Sequence, residues 1–211
     1  PTLTFAAEPI SIHDTHKHLG MTYSQDLRFH EHVNDTIKKV NKTLSPLYPI
    51  AKFLPRHILE QIHKTYILPH FDNCDTIYDG HITLRDVLRL ETLQDRAARL
   101  ITGTLLRTSS DKLRLELGWD KLTTRRQIHR LELYHKLSRP ENHNVPTYIT
   151  DIIPHTRAHD TETAMTLRNA NHHTLTHTRT TTHQRSFFNL TRKEWNHLPE
   201  DSRQLPYCDF K

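Results

Sequence analysis

From Phe29 onward the apolar positions Val33, Ile37, Val40, Leu44 and Leu47 recur at alternating steps of four and three. That spacing lays one oily stripe along an α-helix. Pro46 and Pro49 interrupt it and are expected to break or kink the helix, because proline lacks a backbone donor and crowds the preceding turn. A second helix is predicted after Pro55, with Ile58, Leu59, Ile62 and Tyr66 inward and Pro69 as its end. HFDNCDTIYDGH then reads as a connector. A third helix, LRDVLRLETLQDRAARLITG at 84–103, sets Leu90, Leu93, Ala97, Leu100 and Ile101 on one side and stops at Gly103. Ser110 is placed to cap a short helix through Leu117, with Gly118 closing it and Trp119 packing back. The last helix of this group runs from about Thr123 to Leu137, with Ile128, Leu131, Tyr134 and Leu137 as its core face.

Ahead of Phe29 the period is two. Leu3, Phe5, Ile10 and Ile12 alternate with polar neighbours, Glu8-Pro9 is the expected turn, and Leu19-Gly20-Met21 reads as a short apolar end. After Pro140 the helical period fades. VPTYITDII is a short apolar turn, and TLRNANHHTLTHTRTTTHQR has no apolar period and reads as extended or disordered. In RSFFNLTRKEWNHLP, Phe187, Phe188, Leu190 and Trp195 are expected to return and cover a groove. The predicted fold is mainly α. A short N-terminal β-hairpin region (1–28) precedes a helical bundle (29–139), an irregular His/Thr-rich linker (140–185) and a C-terminal aromatic segment (186–211).

Composition narrows the function. With 35% hydrophobic residues among 211, part of the chain is expected to be loosely ordered. A net charge of +5 suits a polyanionic partner without saying where the charge lies. Cys74 and Cys208 form no CxxC pair, so neither a disulfide framework nor a cysteine zinc site is indicated, and a reducing compartment follows. No apolar run approaches the roughly 18 residues of a membrane span, and no charged-then-apolar leader is read in the sequence, so neither insertion nor secretion is expected. The expected location is intracellular, nucleus or cytoplasm, not secreted. The opening at proline, without an initiator methionine, points to a piece of something longer.

The charge is patterned. Arg85, Arg89, Arg96 and Arg99 fall within an arc of roughly 80° on the third helix. A solvated face, with Asp86–Arg89 and Asp95–Arg99 as helix-spaced ion pairs, accounts for that stripe equally well. Lys38, Lys39 and Lys42 on the first helix, and Arg125, Arg126 and Arg130 beside His129 on the last, repeat the same sign. Catalytic motifs are missing: the sequence has no GxSxG elbow and no glycine-rich phosphate loop, and Cys74 near His70 forms no recognisable triad. His172, His173, His177 and His183 are crowded, but ligands four apart share a face only on a helix, so no metal site is expected. A histidine-rich metal-binding protein is the weakest of three readings.

In order and spacing, HKHLGM, ILPHFDNCDTIYDG, LETLQDRAARLITG, LELGWDKLTTRRQIHRLELYHKL, VPTYITDIIP and RSFFNLTRKEWNHLP resemble the C-terminal part of non-LTR retrotransposon reverse transcriptases of the jockey and CR1 kind. The resemblance spans nearly the whole chain. It implies that 1–28 is the end of a palm, with Lys17, His18, Leu19 and Gly20 near the primer end. It also implies that 29–139 is a thumb-like bundle whose basic helices hold RNA template and DNA primer by their backbones. Pro46 and Pro49 depart from the family pattern, which puts a single straight thumb helix in doubt. Polymerases of this kind hold two Mg2+ ions with palm aspartates, one pair in a Tyr-x-Asp-Asp turn. This chain contains no such turn, and nothing marks Asp72 and Asp75 as substitutes. The resemblance therefore implies a chain that is inactive alone, carries no cofactor, binds no small-molecule substrate or membrane, and works with the parent palm. The competing reading is a decayed, free-standing helical interaction module.

Overall fold

A computed structural model describes residues 4–5, 8–9, 13–104, 108–139, 145–153 and 172–210. The chain is mainly helical with a short N-terminal hairpin, as its periods predict. It divides into two compact units, Pro1–Cys74 with His81–Leu122, and Asp75–Gly80 with Thr123–Lys211.

In the first unit Glu8-Pro9 is not a turn. It forms strand β2, paired antiparallel with β1 (Thr4–Phe5). Proline is tolerated because a two-stranded ladder has an outer edge that needs no donor. Leu3, Ile10 and Ile12 lie outside the described residues. The longer hairpin joins β3 (Thr15–His18) to β4 (Met21–Ser24), and its two-residue turn is Leu19-Gly20, not an apolar end. Both turn residues have positive φ (47° and 85°), the combination whose twist matches the two strands it joins. Alternation does not reveal this hairpin because β3 is exposed throughout, and only Met21 of β4 is buried. The Thr22 hydroxyl donates to Asp35 (3.1 Å), which ties β4 to the first helix.

That helix, α1 (His30–Leu44), buries Val33, Val40 and Leu44 together with His32 and Thr36. It ends two residues before Pro46, and α2 (Leu47–Ile50) and a 3-10 turn (Ala51–Phe53) follow, so the prolines do break the stripe. Pro69, by contrast, ends nothing. α3 (Arg56–Ile62) passes through a π-helical turn (His63–Ile67) into α4 (Leu68–Asp72), with Pro69 in the first turn of α4. The widened turn shifts the buried face to Leu59, His63, Ile67 and Phe71, and leaves Tyr66 65% exposed. α5 (Asp75–Tyr78) belongs to the second unit, so the expected connector is largely helical.

α6 (Leu84–Thr102) buries Leu90, Leu93, Ala97 and Ile101 as its period predicts. Thr83 caps it, accepting from the Asp86 N–H (3.2 Å) while its hydroxyl donates to the Asp86 carboxylate (2.8 Å). Gly103, at φ 65°, closes it. α7 (Ser110–Leu117) ends in a Schellman closure, with Trp119 N–H donating to Arg114 O (2.8 Å) and Gly118 N–H to Leu115 O (3.3 Å). Trp119 packs back as expected, stacking on His63 at 4.1 Å. Arg114 clamps α7 to α6 through Asp95 (2.8 Å), so Asp95 pairs there and not with Arg99.

The second unit is built on α8 (Leu122–Leu137), from Thr123 on. Its buried face is Arg126, Arg130, Leu131, Tyr134 and His135, whereas Ile128 is 41% exposed. Two arginines thus occupy helix positions that the hydrophobic period had assigned to the surface. After α9 (Thr147–Thr150), residues 154–171 lie outside the described residues; the rest of the Thr/His-rich stretch, from His172, is irregular as far as Thr180 and then helical, contrary to the extended reading of its end. α10 (Thr181–Gln184) and α11 (Phe187–His197) follow. Trp195 is buried with Leu131 and Tyr134, and Phe187 and Phe188 pack on that cluster. α12 (Glu200–Gln204) and α13 (Tyr207–Phe210) complete the unit, and Phe210 stacks on His135 at 4.4 Å. Gly80 has the Arg185 carbonyl against it, so that even a methyl group there would displace backbone.

Candidate nucleic-acid interface

The α6 arginines surround a groove of about 620 Å³ in the first unit. Ile37 and Asn41 of α1 form one wall, and Leu84, Leu88, Leu93 and Thr92 line the other. Arg85, Arg89 and Arg96 border this groove together. Arg85 and Arg96 are exposed and have no acidic partner among the described residues. Arg89 pairs with Asp86 (3.0 Å), as helix spacing predicts. Arg99 is half-buried and donates weakly to the Thr108 carbonyl at 3.4 Å.

Asp86 is the fixed charge behind this edge. Burial pushes its carboxyl up, but hydrogen bonds from His30, Thr83 and Arg89 outweigh that and hold it below the ordinary carboxylate range. It anchors one end of the stripe and neutralises Arg89, so Arg85 and Arg96 carry most of the uncompensated charge.

Lys38 and Lys42 are exposed one turn apart on α1, and Lys38 is only loosely paired with Asp35 (3.8 Å). Lys39 is half-buried on another side, where its charge adds to burial in lowering the pKa of His32 and His70. Lys17, His18, Leu19 and Gly20 form the exposed tip of the β3–β4 hairpin, and Leu19 is 87% exposed. Of these four, Lys17 and His18 end strand β3 and Leu19 and Gly20 make the turn.

On α8 the basic residues turn inward. Arg126 is 1% exposed and Arg130 4%. Arg126 donates to Asp79 (2.5 Å), and Arg130 donates to Asp79 and to Glu194 (2.7 Å). His129 pairs with buried Asp75 (2.5 Å). Arg125 is half-exposed and not without a partner. The structure therefore brings Arg85, Arg89 and Arg96 together, and uses Arg126 and Arg130 as counter-ions inside the second unit. Asp79 and Glu194, which hold them, are the residues that sequence reasoning missed. Their separation of 47 residues or more from the arginines leaves no local signal.

Of the crowded histidines, His177 and His183 are exposed, and His173 packs against Tyr134 and Trp195. His173 Nδ1 lies 2.6 Å from the Tyr134 hydroxyl, and burial, with the charges of Arg192, Arg203 and His172, pushes its pKa down to about 4. Burial likewise raises the Tyr134 hydroxyl to about 12, which leaves it a donor to neutral His173. Comparison with known proteins adds no neighbour: no family model matches the chain, and no curated protein or solved structure matches it. Among the described residues, no helix is long and apolar enough to cross a membrane.

Proposed function

We propose that this chain is the non-catalytic, backbone-gripping segment of an RNA-directed DNA polymerase of the non-LTR retrotransposon kind. It works inside the cell, holding an RNA template and DNA primer while the parent's palm, with its Mg2+, adds nucleotides. Two kinds of support converge. The quoted segments resemble the end-of-palm and thumb region in order and spacing. The observation that carries the reading is the α6 edge, where Arg85, Arg89 and Arg96 share one groove and two of them have no acid among the described residues. Lys38 and Lys42 on α1 and Lys17 at the hairpin tip add exposed charge. A thumb must release and re-grip after every addition, and phosphate contacts suit that because they position a duplex without reading bases.

The test is a salt titration of hybrid binding by the full chain. Log affinity should fall with log salt by about 0.9 for each phosphate neutralised. Changing Arg85, Arg89, Arg96 and Arg99 to glutamine should flatten that slope. A flat titration, or an unaltered slope in the glutamine variant, removes the proposal.

The groove's apolar floor supports the second reading, a helical interaction module. Leu84 is 73% exposed and Leu88 57%, and a basic rim around such leucines suits an acidic amphipathic helix. Binding of that peptide, with no hybrid binding, would put the second reading in place of the first.

A further inference from the structure

The α6 stripe borders a second hollow of the first unit, about 540 Å³, toward the helix C-terminus. Its walls are of two kinds. Tyr48, Leu59 and Leu100 supply ring and aliphatic surface, and Lys52, Arg96 and Arg99 supply charge. None of the residues lining it is acidic. Arg56, the remaining cation there, is already taken by Glu60 (2.9 Å) and Glu116 (2.6 Å). Lys52, Arg96 and Arg99 have no carboxylate among the described residues. The Arg99 Nε is shielded from solvent with no hydrogen-bond partner there. Tyr48 is 52% exposed at the hollow, with its ring accessible.

A hollow of this size fits one small organic ligand, and its composition selects which. Cations beside an accessible aromatic ring and aliphatic surface suit a unit that is anionic at one end and planar at the other. A base paired within a duplex must first be unpaired and unstacked to enter, a cost that an unpaired base avoids. Arg96 borders both the hollow and the neighbouring groove, so the positive edge continues from Arg99 to Arg85 and can follow a backbone onward. We infer that this hollow holds one unpaired nucleotide of a nucleic-acid strand, its base on Tyr48 and its phosphate on Arg96 and Arg99. The inference deepens the backbone-grip reading and rests on it for the choice of a strand over a free nucleotide.

The experiment compares a blunt RNA/DNA hybrid with the same hybrid carrying a three-nucleotide overhang, with 2-aminopurine at the first unpaired position. The full chain should bind the overhang form about tenfold more tightly, in line with one stacked base, and should change the 2-aminopurine emission. Tyr48→Ala and Arg99→Gln should abolish the tenfold advantage, and Tyr48→Phe should keep it. Equal affinity for the two hybrids, both salt-dependent, overturns the hollow and leaves the backbone grip standing. A Tyr48-dependent emission change with a single strand, without any hybrid binding, upholds the hollow and removes the grip. Adenosine monophosphate binding as tightly as the overhang strand overturns the assignment to a strand.

Discussion

The arginines of α6 and α8 are alike in sequence and opposite in fate. Both helices are basic and carry arginines at near-helical spacing. On α6, Arg85 and Arg96 face water, and the nearby acids are occupied elsewhere, Asp86 by His30, Thr83 and Arg89 and Asp95 by Arg114. On α8, Arg126 and Arg130 are buried against Asp79 and Glu194. An arginine stripe is therefore an exposed cationic edge or part of a core depending on where distant acids fold. Net charge cannot distinguish the two.

The sharpest way to break the comparison is to remove the acid that α8 depends on. Asp79→Asn leaves buried Arg126 with no carboxylate among the described residues and Arg130 with Glu194 alone, and breaking a buried pair costs about 3–5 kcal/mol. Urea unfolding should show a loss of that size. The double change of Asp79 and Arg126 to leucine should cost less than Asp79→Asn, since no charge is stranded. If Asp79→Asn melts like the parent, the inward arginines are not held by that carboxylate.

The contrast also shows what was legible. α1 follows from apolar spacing, α6 from apolar spacing with its Gly103 stop, and α7 from its Gly118 stop, because these signals lie within a few residues of what they control. The cap expected at Ser110 is not made, since Ser110 is already helical and Ser109 precedes it without a side-chain cap bond. The α6 groove was half legible: the stripe is written at 85, 89 and 96, whereas the wall at Ile37 and Asn41 comes from a helix more than forty residues away in the chain. The inward turn of α8 was illegible, because arginine in a core is stable only with partners such as Asp79 and Glu194. The π-helical turn that carries the chain past Pro69 is a local solution that proline rules disfavour. The β3–β4 hairpin was misplaced because its strands bury a single side chain, leaving alternation nothing to report.

A second prediction sharpens the comparison through pH. His173, in the second unit, is held down to about 4 from an ordinary 6.5 by burial and neighbouring cations. The unfolded chain takes up its proton near 6.5 and the folded chain refuses it until about 4. Its contribution to stability is thus complete above about 6.5 and is lost as pH falls toward 4. His135 is lowered in the same direction by burial. After allowance for solvent screening, the loss at His173 is about 1–2 kcal/mol. His173→Gln should flatten the fall in melting temperature between pH 7 and pH 5, and an unchanged fall would place the acid sensitivity elsewhere. The α6 edge contains no comparable histidine among its groove residues, so hybrid binding itself should track salt more than this titration.

The smallest stability effect is expected where the functional effect is largest. Arg96→Gln removes an exposed side chain with no acidic partner among the described residues, and such surface changes stay within about 0.5 kcal/mol. Arg130→Gln removes a buried cation, strands Glu194 and leaves Asp79 with Arg126 alone, and belongs with the large losses. Binding should order the two variants in the opposite sense. With folded protein at low temperature, Arg96→Gln should reduce the salt slope for hybrid binding by about 0.9, one phosphate contact, while Arg130→Gln should leave the slope at its parental value. Measuring melting and salt slope on both variants separates a charge that folds the chain from one that faces a ligand. If Arg130→Gln lowers the slope as much as Arg96→Gln, the buried arginine reaches nucleic acid after all, and the division between the two helices fails.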